Sequence, residues 1–305
     1  MLVLRQILFL AFLLVTPSSL FGEAQCPGNV LPVRYHSLGR SQIAIEVVLN
    51  HKGPYEFMVD TGSQMTVIEP SLAAELELQP AGTVQVISGL RSAPGMLVSP
   101  DLIEAGSNAV HLSRAVVQSL AQFQSLYPEL RGILGEDFLM GFDILLDRGK
   151  RILCLDSSTD MRREVRGERI SMVHWNGTKD ETQTAHPIII PARLTNDPGR
   201  AMHLRLDSGA STPILYANRV EQEPWSDRLR THRGSVAGGS TMYFKALAPQ
   251  DIEIGKHVMN DITFVAPVRT SQDVTVATED GLLPTSLFKR VFISYRGDYV
   301  VLEPR

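Results

Sequence analysis

The chain carries Phe57-Met58-Val59-Asp60-Thr61-Gly62-Ser63 and, 147 positions later, Leu204-Arg205-Leu206-Asp207-Ser208-Gly209-Ala210. In both, a strand-like run ends in an aspartate followed by a hydroxyl residue and a glycine. An aspartate in that place is either a turn former or a group held there for its charge. The surroundings of the two stretches decide between these readings.

Residues 42–49 alternate apolar and polar side chains, residues 50–54 (Asn-His-Lys-Gly-Pro) form a turn, and 55–60 return, which reads as a hairpin. The second stretch has the same plan: 186–194 is strand-like, Asn196-Asp197-Pro198-Gly199 is a strong turn, and 201–207 return. A short helical patch follows each aspartate, at 71–78 and 216–223. Further on, Gly132-Ile133-Leu134-Gly135 precedes Asp137-Phe138-Leu139 and a strand pair, 142–147 and 151–155, joined by Arg148-Gly149-Lys150. Gly281-Leu282-Leu283-Pro284 precedes Ser286-Leu287-Phe288 and a pair, 291–295 and 299–302, joined by Arg296-Gly297-Asp298. Asp60 to Gly132 spans 72 residues and Asp207 to Gly281 spans 74, so two landmarks agree and the pattern reads as a duplicated unit. The expected lobes are 25–156 and 186–305. The polar, mixed-charge stretch 157–185 is expected to be a solvated connector, with Asn176-Gly177-Thr178 a glycosylation sequon.

With 305 residues and 44% hydrophobic composition the chain can bury a substantial core. A net charge of -4 with no basic stripe gives no reason to expect nucleic acid. Residues 1–24 read as a secretory signal: Arg5 is the only charge before the apolar run 7–15, and small residues Gly22 and Ala24 precede the expected cut. That run is too short to span a bilayer, so the expectation is an exported protein, periplasmic or secreted, with no stable membrane anchor. In an oxidising compartment Cys26 and Cys154 can pair, or Cys154 can be a buried thiol beside a frayed Cys26; sequence leaves both open.

Two lobes that each end a strand in an aspartate can bring the carboxylates together across a pseudo-twofold axis. Like charges at hydrogen-bonding distance cannot both ionise easily, so the pair keeps one proton. One carboxylate can take a proton from a water attacking a carbonyl while its partner donates to the carbonyl oxygen, with no metal or covalent intermediate. Gly62 and Gly209 allow close backbone approach, Thr61 and Ser208 can bond across to the opposite loop, and Ser63 can bond the outer oxygen of Asp60.

These motifs resemble those of the aspartic proteases, in particular bacterial relatives of the retropepsin-like group with two lobes in one chain. The resemblance covers almost all of the chain after residue 24. It implies an all-β, bilobal fold: two related barrel-like lobes with short helices, a cleft between them, and Asp60 and Asp207 as catalytic groups. It also implies a peptide or protein substrate in extended conformation beneath a hairpin flap, for which 85–96 and 233–244 occupy the matching intervals. One chain supplies both aspartates, so a dimer is not required. Pro284 stands where the first lobe has Gly135. Ala210 stands where the first has Ser63, so Asp207 is expected to be less strongly kept ionised unless Ser211 or Thr212 compensates.

Two other readings stay open: turn aspartates in a non-catalytic β protein, and a protease fold that only binds peptides by strand pairing. No Gly-x-Ser-x-Gly elbow occurs, no two of the eight histidines have His-x-x-x-His spacing, and two distant cysteines cannot build a zinc cluster. His111, His203 and His257 read as ordinary strand residues, and no metal or cofactor is expected.

Overall fold

Strand Gln42–Leu49 buries Ile43, Ala44, Ile45, Val47 and Leu49, and a turn at Asn50 and His51 sends the chain back as Lys52–Val59. The returning strand starts exposed and ends in buried Phe57, Met58 and Val59, so the chain reaches Asp60 from inside the core. In the second half Ile189–Leu194 pairs antiparallel with Asp197–Asp207 in the same way. The computed structural model describes residues 25–88, 91–173, 186–216, 219, 231–235, 241–268 and 279–305. The signal segment, the sequon, most of the 216–223 patch and the tips of both flap intervals lie outside the described residues.

Three sheets carry the fold. The first runs in the order Gln79–Ser88, Arg91–Ser99, Ala115–Val117, Val67–Ile68, Leu130–Leu134, Lys52–Val59, Gln42–Leu49, Asp101–Ala105, Asn108–Leu112, with His36–Leu38 paired to the side of Gln42–Leu49. The second runs Thr231–Ser235, Thr241–Ala246, Val265–Pro267, Ile214–Leu215, Gly281–Pro284, Asp197–Asp207, Ile189–Leu194, Gln250–Ile254, His257–Ile262. Position by position this is the order of the first. The fold is all-β and two-lobed.

Parallel pairing explains why each aspartate has a Gly-apolar-apolar partner far along the chain. Val59 lies opposite Leu134 and Leu206 opposite Leu283, so each run ends beside the aspartate loop of its own lobe. Pro284 lies opposite Asp207 itself.

The third sheet joins the halves in the order Pro32–Arg34, Ile152–Asp156, Asp143–Asp147, Phe288–Ser294, Tyr299–Pro304, Ile170–Ser171. Its centre pairs Leu145 with Phe292, one strand from each half. In the described part of 157–185, residues 157–173, most side chains are exposed and a few anchor the segment to the third sheet. Helix Asp160–Glu164 buries Met161 completely, Val165 and Ile170 are buried, and Ile170–Ser171 adds the edge strand. The Arg162 guanidinium reaches the buried Asp143 carboxylate at 2.7 Å, whose other oxygen accepts from Ser294 Oγ at 2.9 Å. Polar composition concealed these anchors because they are few and widely spaced.

Of the two cysteine readings the structure takes the pair: Cys26 and Cys154 form a disulfide across 128 positions, seated against Met161, Val165 and Phe292. A cross-link closing so long a loop restricts the unfolded chain strongly. Replacing both cysteines by alanine is expected to lower the unfolding free energy by about 2–4 kcal/mol in denaturant titrations. An unchanged midpoint would contradict a structural role for the bond.

Candidate functional site: two aspartate loops between the lobes

Each aspartate loop is gripped by the other. Thr61 Oγ1 donates to the Leu206 carbonyl at 2.9 Å and accepts from Ser208 N at 3.0 Å. Ser208 Oγ donates to the Val59 carbonyl at 2.8 Å and accepts from Thr61 N at 3.0 Å. Both residues are buried, so each hydroxyl satisfies two backbone groups that water cannot reach. The glycine carbonyls are also held from the far lobe: Gln42 Nε2 donates to Gly209 O at 3.0 Å and Arg205 donates to Gly62 O at 3.3 Å.

The glycines are required by this closeness. A Cβ on Gly62 would stand 2.5 Å from Asp207 Cγ, and one on Gly209 would stand 2.4 Å from Asp60 Cγ. No side chain fits either place without pushing a carboxyl group away.

The Asp60 and Asp207 carboxyls meet in this frame, each packed against the glycine of the opposite loop. Asp207 is buried at 7% exposure, and Asp60 is half-buried. Burial holds Asp60 well above the usual carboxylate range, with the Asp207 charge adding to it and only the Gly62 amide opposing, at 2.8 Å. Burial raises Asp207 too, but its Oδ1 accepts from Gly209 N at 2.7 Å and Ala210 N at 2.9 Å, and these amides oppose the rise.

Two expectations are corrected here. The Ser63 hydroxyl does not bond the Asp60 carboxyl; it donates to the Met65 carbonyl at 2.8 Å, while the Ser63 amide donates to the Asp60 carbonyl at 3.3 Å. The second aspartate is not the less supported one: the Ala210 backbone amide acts where a hydroxyl was expected, and Ser211 and Thr212 are exposed.

Around the pair lies a polar group that motif reading missed. Glu136, at the start of helix Glu136–Leu139, is 0% exposed, and neither carboxyl oxygen has a hydrogen-bond partner. Its backbone amide donates to Ser63 O at 2.8 Å, which ties it to the Asp60 loop. Burial pushes its carboxyl up to about 8. Arg205, two residues before Asp207 on the same strand, pairs with buried Glu279 at 3.2 Å. Tyr295 Oη is buried nearby with no partner. Aligning the two lobes would have revealed the first two, since Met58 and Thr285 occupy the matching places.

The flap intervals form hairpins, Gln79–Ser88 with Arg91–Ser99 and Thr231–Ser235 with Thr241–Ala246, with Ile87 and Met96 exposed on the first. His111 faces Asp101 at 3.2 Å at the surface, away from the pair. Among the described residues no group of three or more His, Cys, Asp and Glu side chains is placed to hold a metal ion, and no helix is long and apolar enough to cross a membrane.

Residues 45–138 match the family described as aspartyl protease, a span that includes Asp60 and Gly132–Gly135 but stops before Asp207. Among solved structures the chain is similar to a retropepsin-like aspartic protease from Rickettsia conorii, at 14% identity and a TM-score of 0.30, over 41% of this chain and 89% of that one. No curated protein matches the chain in sequence. The family match spans 94 of the 305 residues, less than half of the chain.

Because each cross-lobe hydroxyl serves two buried backbone groups, Ser208→Ala is expected to cost about 2–4 kcal/mol of unfolding free energy. Thr61→Val, which keeps the shape, is expected to cost a similar amount. A loss below about 0.5 kcal/mol in both would show that the lattice does not hold the lobes.

Proposed function

We propose that the chain is an aspartic endopeptidase that hydrolyses peptide bonds through a water activated by Asp60 and Asp207 sharing one proton. What supports this most is that a frame built from both lobes sets each aspartate carboxyl against the glycine of the opposite loop. A substrate peptide lies extended in the cleft, beneath the hairpin Gln79–Ser88/Arg91–Ser99. The ionised carboxylate takes a proton as water adds to the scissile carbonyl carbon, while the protonated partner donates to the carbonyl oxygen. The resulting diol collapses when a proton passes to the amide nitrogen and the C–N bond breaks. Hydrolysis consumes one water and needs no cofactor. Thr61, Gly62, Ser208 and Gly209 hold the two carboxyls; the Ser63 hydroxyl shapes the first loop instead of bonding the Asp60 carboxyl. The disulfide fits an oxidising compartment, so the protein works after export, in a periplasm or outside the cell.

The pH dependence follows from the burial of the pair. Activity falls at low pH when the base carboxylate is protonated, and at high pH when the shared proton is lost. Because burial and the neighbouring charge hold Asp60 well above its ordinary value near 4, the high-pH limb lies well above the usual carboxylate range.

Purified mature protein, incubated with a mixed peptide library from about pH 3 to about pH 8, is expected to cut internal bonds with that profile. Asp60→Asn and Asp207→Asn are each expected to lose at least about 10²–10⁴-fold. Either variant keeping the wild-type rate would overturn the reading. Peptide binding without cleavage at any pH would replace it with a peptide-binding module.

A further inference from the structure

The two loops are near-copies, yet their surroundings differ in charge. Two positions before each aspartate stand Met58 in one lobe and Arg205 in the other. Directly after each Gly-apolar-apolar run, past Gly135 and Pro284, stand Glu136 and Thr285. Sheet register supports both equivalences, since Met58 lies opposite Ile133 and Arg205 opposite Leu282. Of these four, the cation belongs to the Asp207 side and the carboxyl to the Asp60 side. Strand periodicity puts Arg205 on the face that Asp207 uses, and its guanidinium reaches over to Gly62 O.

The geometry points to Arg205 and Glu136 as positioning residues that break the symmetry of the pair and decide which aspartate holds the shared proton: Asp60 keeps it, and Asp207 is the ionised base. This rests on the proposed protease reading only for its consequence, since the proton's place exists whether or not a peptide is cut. In the hydrolysis Asp207 would then accept the proton of the attacking water and Asp60 would donate to the carbonyl oxygen.

Arg205 faces Glu279, Glu136, Tyr216 and Asp207; Glu136 faces Arg205, Asp137, Asp207 and Glu279, with the Tyr295 hydroxyl beside it. Arg205 pairs with Glu279 at 3.2 Å through Nε and also reaches the carbonyl oxygen of Gly62, the residue that lies against the Asp207 carboxyl. With one negative charge on the dyad, ionising Glu136 as well would place a second buried negative charge in the same region, and its oxygens have no hydrogen bond to support it. Glu136 therefore stays neutral while the dyad works, and any negative charge it gains at higher pH holds the proton on Asp60 more firmly. The Arg205 charge favours the ionised form of Asp207. Both act in one direction, together with the extra amide at Ala210.

The test reads protons rather than turnover. Aspartate carboxyl carbons are labelled with 13C, assigned with Asp60→Asn and Asp207→Asn, and titrated by NMR in folded wild type, Arg205→Lys and Arg205→Gln. In wild type Asp207 is expected to ionise first and Asp60 to stay protonated into the neutral range. Arg205→Lys keeps the charge and should keep that order, whereas Arg205→Gln keeps a donor for Gly62 O and loses the charge. In Arg205→Gln the Asp207 midpoint should rise by about one pH unit, a tenfold change in its ionised fraction at low pH. Equal shifts in both variants would assign Arg205 a purely structural role and overturn the inference, as would an Asp60 that ionises first in wild type. Should Arg205→Gln not fold, Glu136→Gln carries the test: the Asp60 midpoint should fall, and an unchanged midpoint contradicts the inference. Because the reading needs no substrate, failure to cut peptides and failure of the proton assignment are separate outcomes.

Discussion

The reciprocal grip of Thr61 and Ser208 is the constraint on which the rest of the site depends. Each hydroxyl bridges a carbonyl and an amide of the opposite loop, so neither loop can shift without leaving backbone groups unpaired out of reach of water. That grip brings Asp60 against Gly209 and Asp207 against Gly62, where a single methyl group would not fit. The third sheet, with Leu145 against Phe292 at its centre, holds the lobes together below the loops. The disulfide and the helix Asp160–Glu164 brace that sheet from one side.

Closeness and burial together set the charge. Two carboxyls in contact, cut off from water on most sides, cannot both ionise at ordinary pH, and this turns a pair of common turn residues into a proton-holding device. The backbone then sorts them unequally. Asp207 receives two amide hydrogen bonds and Asp60 receives one, while the cation Arg205 comes from the strand of Asp207 and the acid Glu136 from the lobe of Asp60. Near-symmetry positions the pair, and on the proposed reading the departures from it would distinguish acid from base.

Much of this was legible in the residues, for a definable reason. The Asp-hydroxyl-Gly loops and the Gly-apolar-apolar runs are held at matched spacing because parallel pairing sets Val59 beside Leu134 and Leu206 beside Leu283. Spacing therefore records a physical contact. What side chains do inside a loop was less legible: Ser63 has the right hydroxyl, but the loop turns it to Met65. The place of Arg205 was not legible because its partner Glu279 is 74 residues further on and Glu136 comes from the other lobe. The stretch 157–173 read as solvated since most of its residues are polar, although Met161 and Val165 are spaced to share one helix face and are both buried. The cysteine pairing depended on a distance between elements that no local pattern encodes.

The claim at the centre of this account is that the two lobes hold one proton between them where isolated aspartates would hold none. A potentiometric comparison of folded wild type with the Asp60→Asn/Asp207→Asn double variant, near pH 6, counts that proton directly, since Glu136 and every other titrating group is present in both. The account predicts that wild type binds about one proton more than the double variant. Equal proton content would mean that both carboxyls are ionised, and the shared-proton site would have to be abandoned.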